Sequence, residues 1–182
     1  QIPIMRAMAE KCTESHGDIL EIGFGRGIAS EFIQACGVAS HTIIECNSSI
    51  VERFHDGGQH IQTAIIGSFD GIFFHTYPLN EAELIEQIGE STTFAAHFFP
   101  HAAAHLRDGG AFTYLSNEID SLSRAHQRLL LREFRSISLE LASELSIPHD
   151  VKDAWWADSM VIVKAVKSSW TPSHRLIRTL NL

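Results

Sequence analysis

With 182 residues, 45% of them hydrophobic and 20% charged, the chain is sized for a single domain spanning 1–182 with a sizeable core. No apolar run approaches the roughly 20 residues of a membrane span, so no membrane partner is expected. A formal net charge of -8 argues against a broad phosphate-binding face, which excludes nucleic acid as the expected partner and leaves a small-molecule substrate.

Cys12, Cys36 and Cys46 are odd in number, widely spaced and without a C-x-x-C pair, which indicates neither a disulfide framework nor a zinc site. A reducing, cytoplasmic setting is the simplest expectation. The chain opens on Gln1 rather than Met, so its natural start is expected upstream. Homodimerisation is left open.

Pro3 to His16 carries Ile4, Met5, Met8 and Cys12 at helical spacing before a Gly17-Asp18 stop. The stretch Asp18-Ile-Leu-Glu-Ile-Gly-Phe-Gly-Arg-Gly-Ile-Ala29 then reads as strand (Ile19 to Ile22), tight turn and helix (Ile28 to roughly Ala35). Gly23, Gly25 and Gly27 permit positive φ and close approach of backbone to a ligand, and the helix they open presents free N–H groups and a positive dipole end. A dinucleotide fingerprint would place its third glycine one residue later and bring a pyrophosphate there. Here Glu21 flanks the turn, which suits a ligand bearing an ammonium group and no phosphate. S-adenosyl-L-methionine is such a ligand.

A second strand, Thr42 to Glu45, puts an acid 22 residues after Gly23, where an α/β nucleotide fold accepts hydrogen bonds from ribose hydroxyls. Ser48 to Phe54 reads as a serine-capped helix, Ile61 to Ile66 as a third strand and Gly71 to Phe74 as a fourth, apolar on both faces. Parallel neighbours need a crossover of about a dozen residues or more, so either the two runs are arranged differently or, as the favoured expectation, a mobile loop near residues 67–68 is missing from the chain.

Glu81 to Leu106 reads as largely helical with breaks at Gly89 and Pro100, ended by Asp108-Gly109-Gly110 before a strand from Ala111 to Leu115. An amphipathic helix from Ile119 to Phe134 follows. Ser136 to Leu145 reads equally as strand or helix, Trp155 to Val166 as a final strand, and the tail from Ser168 as peripheral. Such alternation makes a doubly wound α/β sheet with ligands beyond the strands' carboxyl ends, where His75-Thr76-Tyr77-Pro78-Leu79 sits. His97, His101 and His105 step by four, a spacing able to hold a metal, but no carboxylate or cysteine shares that face and no metal is expected.

Leu20-Glu-Ile-Gly-Phe-Gly25, Ile43-Ile-Glu-Cys-Asn47, Phe69-Asp-Gly-Ile72 and Thr76-Tyr-Pro-Leu79 together resemble the guanidinoacetate N-methyltransferase family and the related arginine δ-N-methyltransferases. The resemblance runs from about Gln1 to Tyr114, and more weakly through Asp158 to Val166. It implies a Rossmann-like class I methyltransferase: a seven-stranded, mostly parallel sheet with helices on both faces and the last strand antiparallel. It also implies that Met5, Phe24, Gly25, Ile28, Ala29 and Glu45-Cys46-Asn47 contact S-adenosyl-L-methionine, and that Thr76 lines the substrate pocket.

Two departures from the family pattern stand out. The family clamps a guanidinium with one acid just before the proline of the first helix and one just before Thr-Tyr-Pro-Leu, and here those positions hold Gln1 and His75. Neither pairs bidentately with a guanidinium as a carboxylate does. The expected enzyme is therefore an N-methyltransferase of a small amine or amino-acid-like substrate that is not a guanidino compound, with His75 as base or hydrogen-bond partner and Gln1 orienting a polar group. O-methylation on the same scaffold and a catalytically silent binding module are the alternatives.

Overall fold

The computed structural model describes residues 2–55, 61–62, 67–76, 93–143, 145 and 157–168. The chain runs α1 (Ile2–Cys12), β1 (Asp18–Ile22), α2 (Ile28–Ala35), β2 (Ser40–Ile44), α3 (Ser48–His55), β3 (Ile61–Gln62) and β4 (Phe69–Phe74). A 3-10 turn (Phe94–Phe98) leads into α4 (Phe99–His105), β5 (Leu106–Tyr114), α5 (Arg124–Glu133), β6 (Ser136–Ala142) and β7 (Met160–Val166). The strands form one seven-stranded sheet in the order β3-β2-β1-β4-β5-β7-β6, parallel except for β7, which pairs antiparallel with β5 and β6. No helix among the described residues is long and apolar enough to cross a membrane.

Side-chain alternation along the strands divides the core. On one face Ile19 of β1, Phe73 of β4 and Ile162 of β7 pack with Met8 and Cys12 of α1 and Ile33 of α2. On the other, Leu20, Ile72, Phe74 and Phe112 pack with Phe98, Phe99 and Ala102 around α4 and with Leu130 of α5. β4 is buried on both faces, as its apolar run predicts.

Several boundaries differ from the sequence expectation, each for a local reason. α1 stops at Cys12 rather than His16: Thr13 turns its hydroxyl back to Ala9 O at 2.8 Å, and His16 takes a positive φ of 53°. The cap of α3 is Asn47, not a serine, since its Oδ1 accepts from Ser49 N at 3.0 Å and its carbonyl from Ile50 N and Val51 N. Pro100 is no break; it sits in the first turn of α4, where its missing N–H costs nothing. α5 begins at Arg124, five residues later than Ile119, because Ser123 caps it by accepting from His126 N.

Asp108-Gly109-Gly110 lies inside β5 instead of ahead of it. Phe69 pairs with Leu106 and Gly71 already with Ala111, so β5 bulges there. Lys167 holds the bulge, Nζ donating to Leu106 O at 2.7 Å while Gly109 N donates to Lys167 O at 2.7 Å. Ser136–Ala142 is a strand, and the final strand begins at Met160; Trp155 and the segments 63–66, 81–92 and 169–182 lie outside the described residues.

β3 and β4 are not neighbours: β3 flanks the outer side of β2 and β4 the far side of β1. The two still run parallel, so the segment joining them has to cross β2 and β1 and return to the start of β4, and the crossover requirement holds for it as it does for adjacent strands. At the amino-terminal edge of the sheet, Arg107 of β5 pairs with Asp18 of β1 at 2.8 Å and with Asp70 of β4, whose Oδ2 also accepts from Asp18 N at 2.8 Å.

Candidate functional site

The glycine turn joins the carboxyl end of β1 to α2. Gly23, Gly25 and Gly27 take φ values of 90°, 55° and 78°, the region open to residues without a Cβ. Gly23 N donates to Ile44 O at 2.9 Å and His75 N to Ile22 O at 3.0 Å, so the turn is pinned to β2 on one side and to the end of β4 on the other. Gly27 is the left-handed N-cap of α2, and Gly27 N donates to Phe24 O at 2.9 Å. The first-turn amides of α2 thus open beside the turn.

Glu45, just past β2, reaches over the turn. Its Oε2 accepts from Phe24 N at 3.0 Å and Gly25 N at 3.1 Å, and its Oε1 from Asn47 N at 2.9 Å. Burial pushes this carboxyl up, but the N–H groups of Asn47, Gly25, Phe24 and Cys46 outweigh it and hold the pKa below the usual glutamate value.

Glu21 behaves differently from the expectation of an acid facing the ligand. It is fully buried, its Oε2 accepting from Ser30 Oγ of α2 and lying 2.9 Å from His41 Nε2. Alternation along β1 places Glu21 on the same face as Ile19, beneath α2 and away from the turn's opening. It anchors the helix that the glycines open.

At the carboxyl ends of β1, β2 and β4 lies a cavity of about 550 Å³. Met5 of α1, the turn residues Gly23, Phe24 and Gly25, and Ile28 and Ala29 of α2 line one side; Glu45, Cys46, Asn47, His75 and Thr76 line the other. Among the expected site residues, Glu21 and Gly27 are not on this wall, and Gln1 lies outside the described residues. Ile2, Arg26 and Ile50 line it as well. Ile2 stands one turn before Met5, Ile50 one turn after Asn47, and Arg26 is the cation inside the glycine turn; these spacings are the signals that could have found them.

His75 is partly buried, its ring edge-on to Phe73 with centroids 6.3 Å apart. Burial holds its pKa below the ordinary histidine value, so the imidazole is neutral at pH 7. His97 belongs to the 3-10 turn and contacts Phe94 O, while His105 Nδ1 lies 3.0 Å from Gly67 O. With His97 on a 3-10 turn and the other two on α4, the three histidines share no single α-helical face, and the described residues contain no group of three or more His, Cys, Asp or Glu placed to hold a metal.

Solved structures share this sheet. The N-methyltransferase NodS from Bradyrhizobium japonicum aligns over 90% of this chain and 94% of that one, at a TM-score of 0.58 and 14% identity. A ribosomal protein L11 methylase from Lactobacillus delbrueckii subsp. bulgaricus aligns over 90% of this chain and 77% of that one, at 0.54 and 13%. A T. thermophilus 16S rRNA methyltransferase, solved with AdoMet and guanosine, aligns over 91% of this chain and 43% of that one, at 0.54 and 18%. Their identities are low and their likeness is one of fold. Residues 1–138 match the guanidinoacetate N-methyltransferase family. With the glycine turn, the acid after β2 and the 3-2-1-4-5-7-6 sheet in place, the chain belongs to that family and is an S-adenosylmethionine-dependent methyltransferase.

Proposed function

We propose that the chain transfers a methyl group to the nitrogen of a small amine or amino-acid-like acceptor, and that guanidino compounds are not its substrates. The observation that carries this reading is the convergence of His75 and Thr76 with Glu45 and the glycine turn on one cavity.

The donor set fits S-adenosyl-L-methionine. An ionised carboxylate on the cavity wall suits ribose hydroxyls, Met5, Phe24 and Ile28 offer apolar wall, and the described lining residues hold no basic cluster of the kind phosphates would need. When bound, the cofactor supplies a methyl group on a positively charged sulfur. Glu45 and Asn47 would hold the adenosine half, and the glycine turn would let backbone approach the methionyl half.

The acceptor must present an unprotonated lone pair in line with the methyl group. His75, neutral because it is buried, is suited to take the proton from an acceptor ammonium, and Thr76 to orient the acceptor beside it. Guanidinium recognition calls for carboxylates in bidentate geometry. Among the described lining residues the carboxylate is Glu45, whose oxygens already serve three backbone amides.

The test is calorimetric titration of the full chain with S-adenosylmethionine and S-adenosylhomocysteine, then an amine, amino-acid and guanidino panel assayed for S-adenosylhomocysteine release. Turnover on an amine and none on guanidino compounds is expected. Absence of cofactor binding would sink the reading, and turnover confined to guanidino compounds would reverse the specificity argument.

A further inference from the structure

β6 ends the sheet, and among the described residues no strand pairs with its outer edge. Such edges are commonly blunted by charged side chains, Lys above all, by Pro, a bulge or brevity. β6 has no Lys, Pro or bulge, and its one charge, Glu140, is paired with Lys11; it runs seven residues as Ser-Ile-Ser-Leu-Glu-Leu-Ala, in unbroken register with β7 from Ser136 to Ala142.

Its two faces differ in kind. Ile137 packs against the core on the α5 side, and alternation puts Leu139 and Leu141 on that same side, 47% and 51% exposed. α5 covers this face and leaves Leu131 56% exposed. Two of the four large hydrophobic side chains exposed among the described residues therefore lie on one face of this edge strand. The opposite face of the strand carries Ser138 and Glu140, the latter paired with Lys11 at 2.6 Å.

The polarity of β6 is nearly symmetric about Leu139. Laid antiparallel against its own copy with Leu139 on the two-fold axis, Ile137 meets Leu141, Ser138 meets Glu140 and Ser136 meets Ala142. All apolar pairs then fall on one face. A one-residue shift would set Leu139 against Ser138 or Glu140. A two-residue shift toward the carboxyl end would set Glu140 against Glu140, like charges directly opposed. The opposite two-residue shift carries Leu141 past the start of the partner strand, onto Arg135.

We propose that two copies of the chain pair through β6 in this register, joining two seven-stranded sheets into one continuous sheet across a two-fold axis. The main-chain groups of both edges become paired, and the Leu139 and Leu141 side chains of each copy become covered by those of the other.

Sedimentation velocity of the full chain over a micromolar concentration series tests this, with twice the 20.2 kDa monomer mass expected. The register has its own test. Opposed residues of antiparallel strands have Cα atoms roughly 4.5–5.5 Å apart, inside the roughly 4.4–6.8 Å range of a disulfide. Leu139→Cys should therefore be trapped as a covalent dimer under mild oxidation. Ser136→Cys, some 20 Å from its own copy in this register, and the unsubstituted chain should not. Leu139→Glu, at an exposed position, should give a folded monomer by circular dichroism. A chain that stays monomeric overturns the proposal, as does a dimer that Leu139→Cys fails to trap. A full chain that stays monomeric while a chain lacking residues 169–182 dimerises also overturns it, and assigns the edge to that segment.

Discussion

Gly23 and His75 approach so closely that a Cβ on Gly23 would lie 2.3 Å from the His75 carbonyl oxygen. The first glycine of the turn after β1 thus fixes where the residue after β4 sits. Gly23→Ala combines a positive φ, costing about 1–2 kcal/mol in a residue with a side chain, with a backbone clash of about 1–3 kcal/mol. Gly25→Ala meets nothing within 4 Å and carries only the conformational cost. Urea unfolding should rank Gly23→Ala as the more destabilised by at least about 1 kcal/mol; equal losses would mean that the contact to His75 is not rigid.

Glu45→Gln leaves one acceptor oxygen where three backbone donors now bond. Hydrogen bonds to a charged group are worth about 1.5–3 kcal/mol, so a stability loss of that order and a tenfold or greater fall in S-adenosylhomocysteine affinity are expected by calorimetry. The pH dependence follows from the lowered pKa. The unfolded glutamate titrates near 4.5 and the folded one below it, so this contribution is complete above pH 4.5 and is lost as the pH falls through the folded value.

His75→Asn keeps a hydrogen-bonding side chain and removes the group proposed as the base. Turnover on the amine acceptor should fall about 10²–10⁴-fold, with cofactor affinity changed much less. Because burial lowers the pKa of His75 in the free chain, the acidic limb of kcat/KM should have its midpoint below the ordinary value of 6.5 and vanish in the variant. A limb that persists unchanged would assign the proton to another group.

Gln1→Glu together with His75→Asp supplies the two acids that the family pattern carries at these positions. The double variant should gain binding of a guanidino compound by calorimetry. If it gains none, residues other than these two set the pocket.

Tyr114 Oη lies 2.6 Å from His126 Nε2, and His126 Nδ1 lies 3.3 Å from Glu118 Oε1, with both rings fully buried. Burial lowers the His126 pKa more than Glu118 raises it. The unfolded chain therefore takes up a proton near pH 6.5 that the folded chain resists, so stability is intact above that pH and declines below it. His126→Gln, which does not titrate, should flatten this slope in urea unfolding between pH 5 and 8, and Tyr114→Phe should cost about 1–3 kcal/mol by leaving the imidazole nitrogen without its partner.

The glycine turn, the acid after β2 and the polar residues after β4 were legible because each follows from spacing and strand ends. Where the Glu21 side chain goes was not, since its burial under α2 depends on Ser30 and His41 meeting it across two other elements. Nor was the start of β5: glycines at 109 and 110 usually mark a helix end, and only the bond to Lys167 from a distant strand makes them a bulge. Asn47 and Ser48 are both good caps, and the choice between them rests on where Glu45 draws the chain by binding Asn47 N. Arg26 was not legible, because glycine spacing speaks of the backbone of the turn and not of the side chain between its glycines.

The Arg107 bridge to Asp18 and Asp70 stitches three strands together at the end of the sheet remote from the cavity. The cohesion of the strands and the cavity are thereby lodged at opposite poles of the same sheet. Exchange of the residues that follow β2 and β4 leaves that stitching untouched, so the cavity wall can be rewritten at one pole while the other keeps β1, β4 and β5 in register.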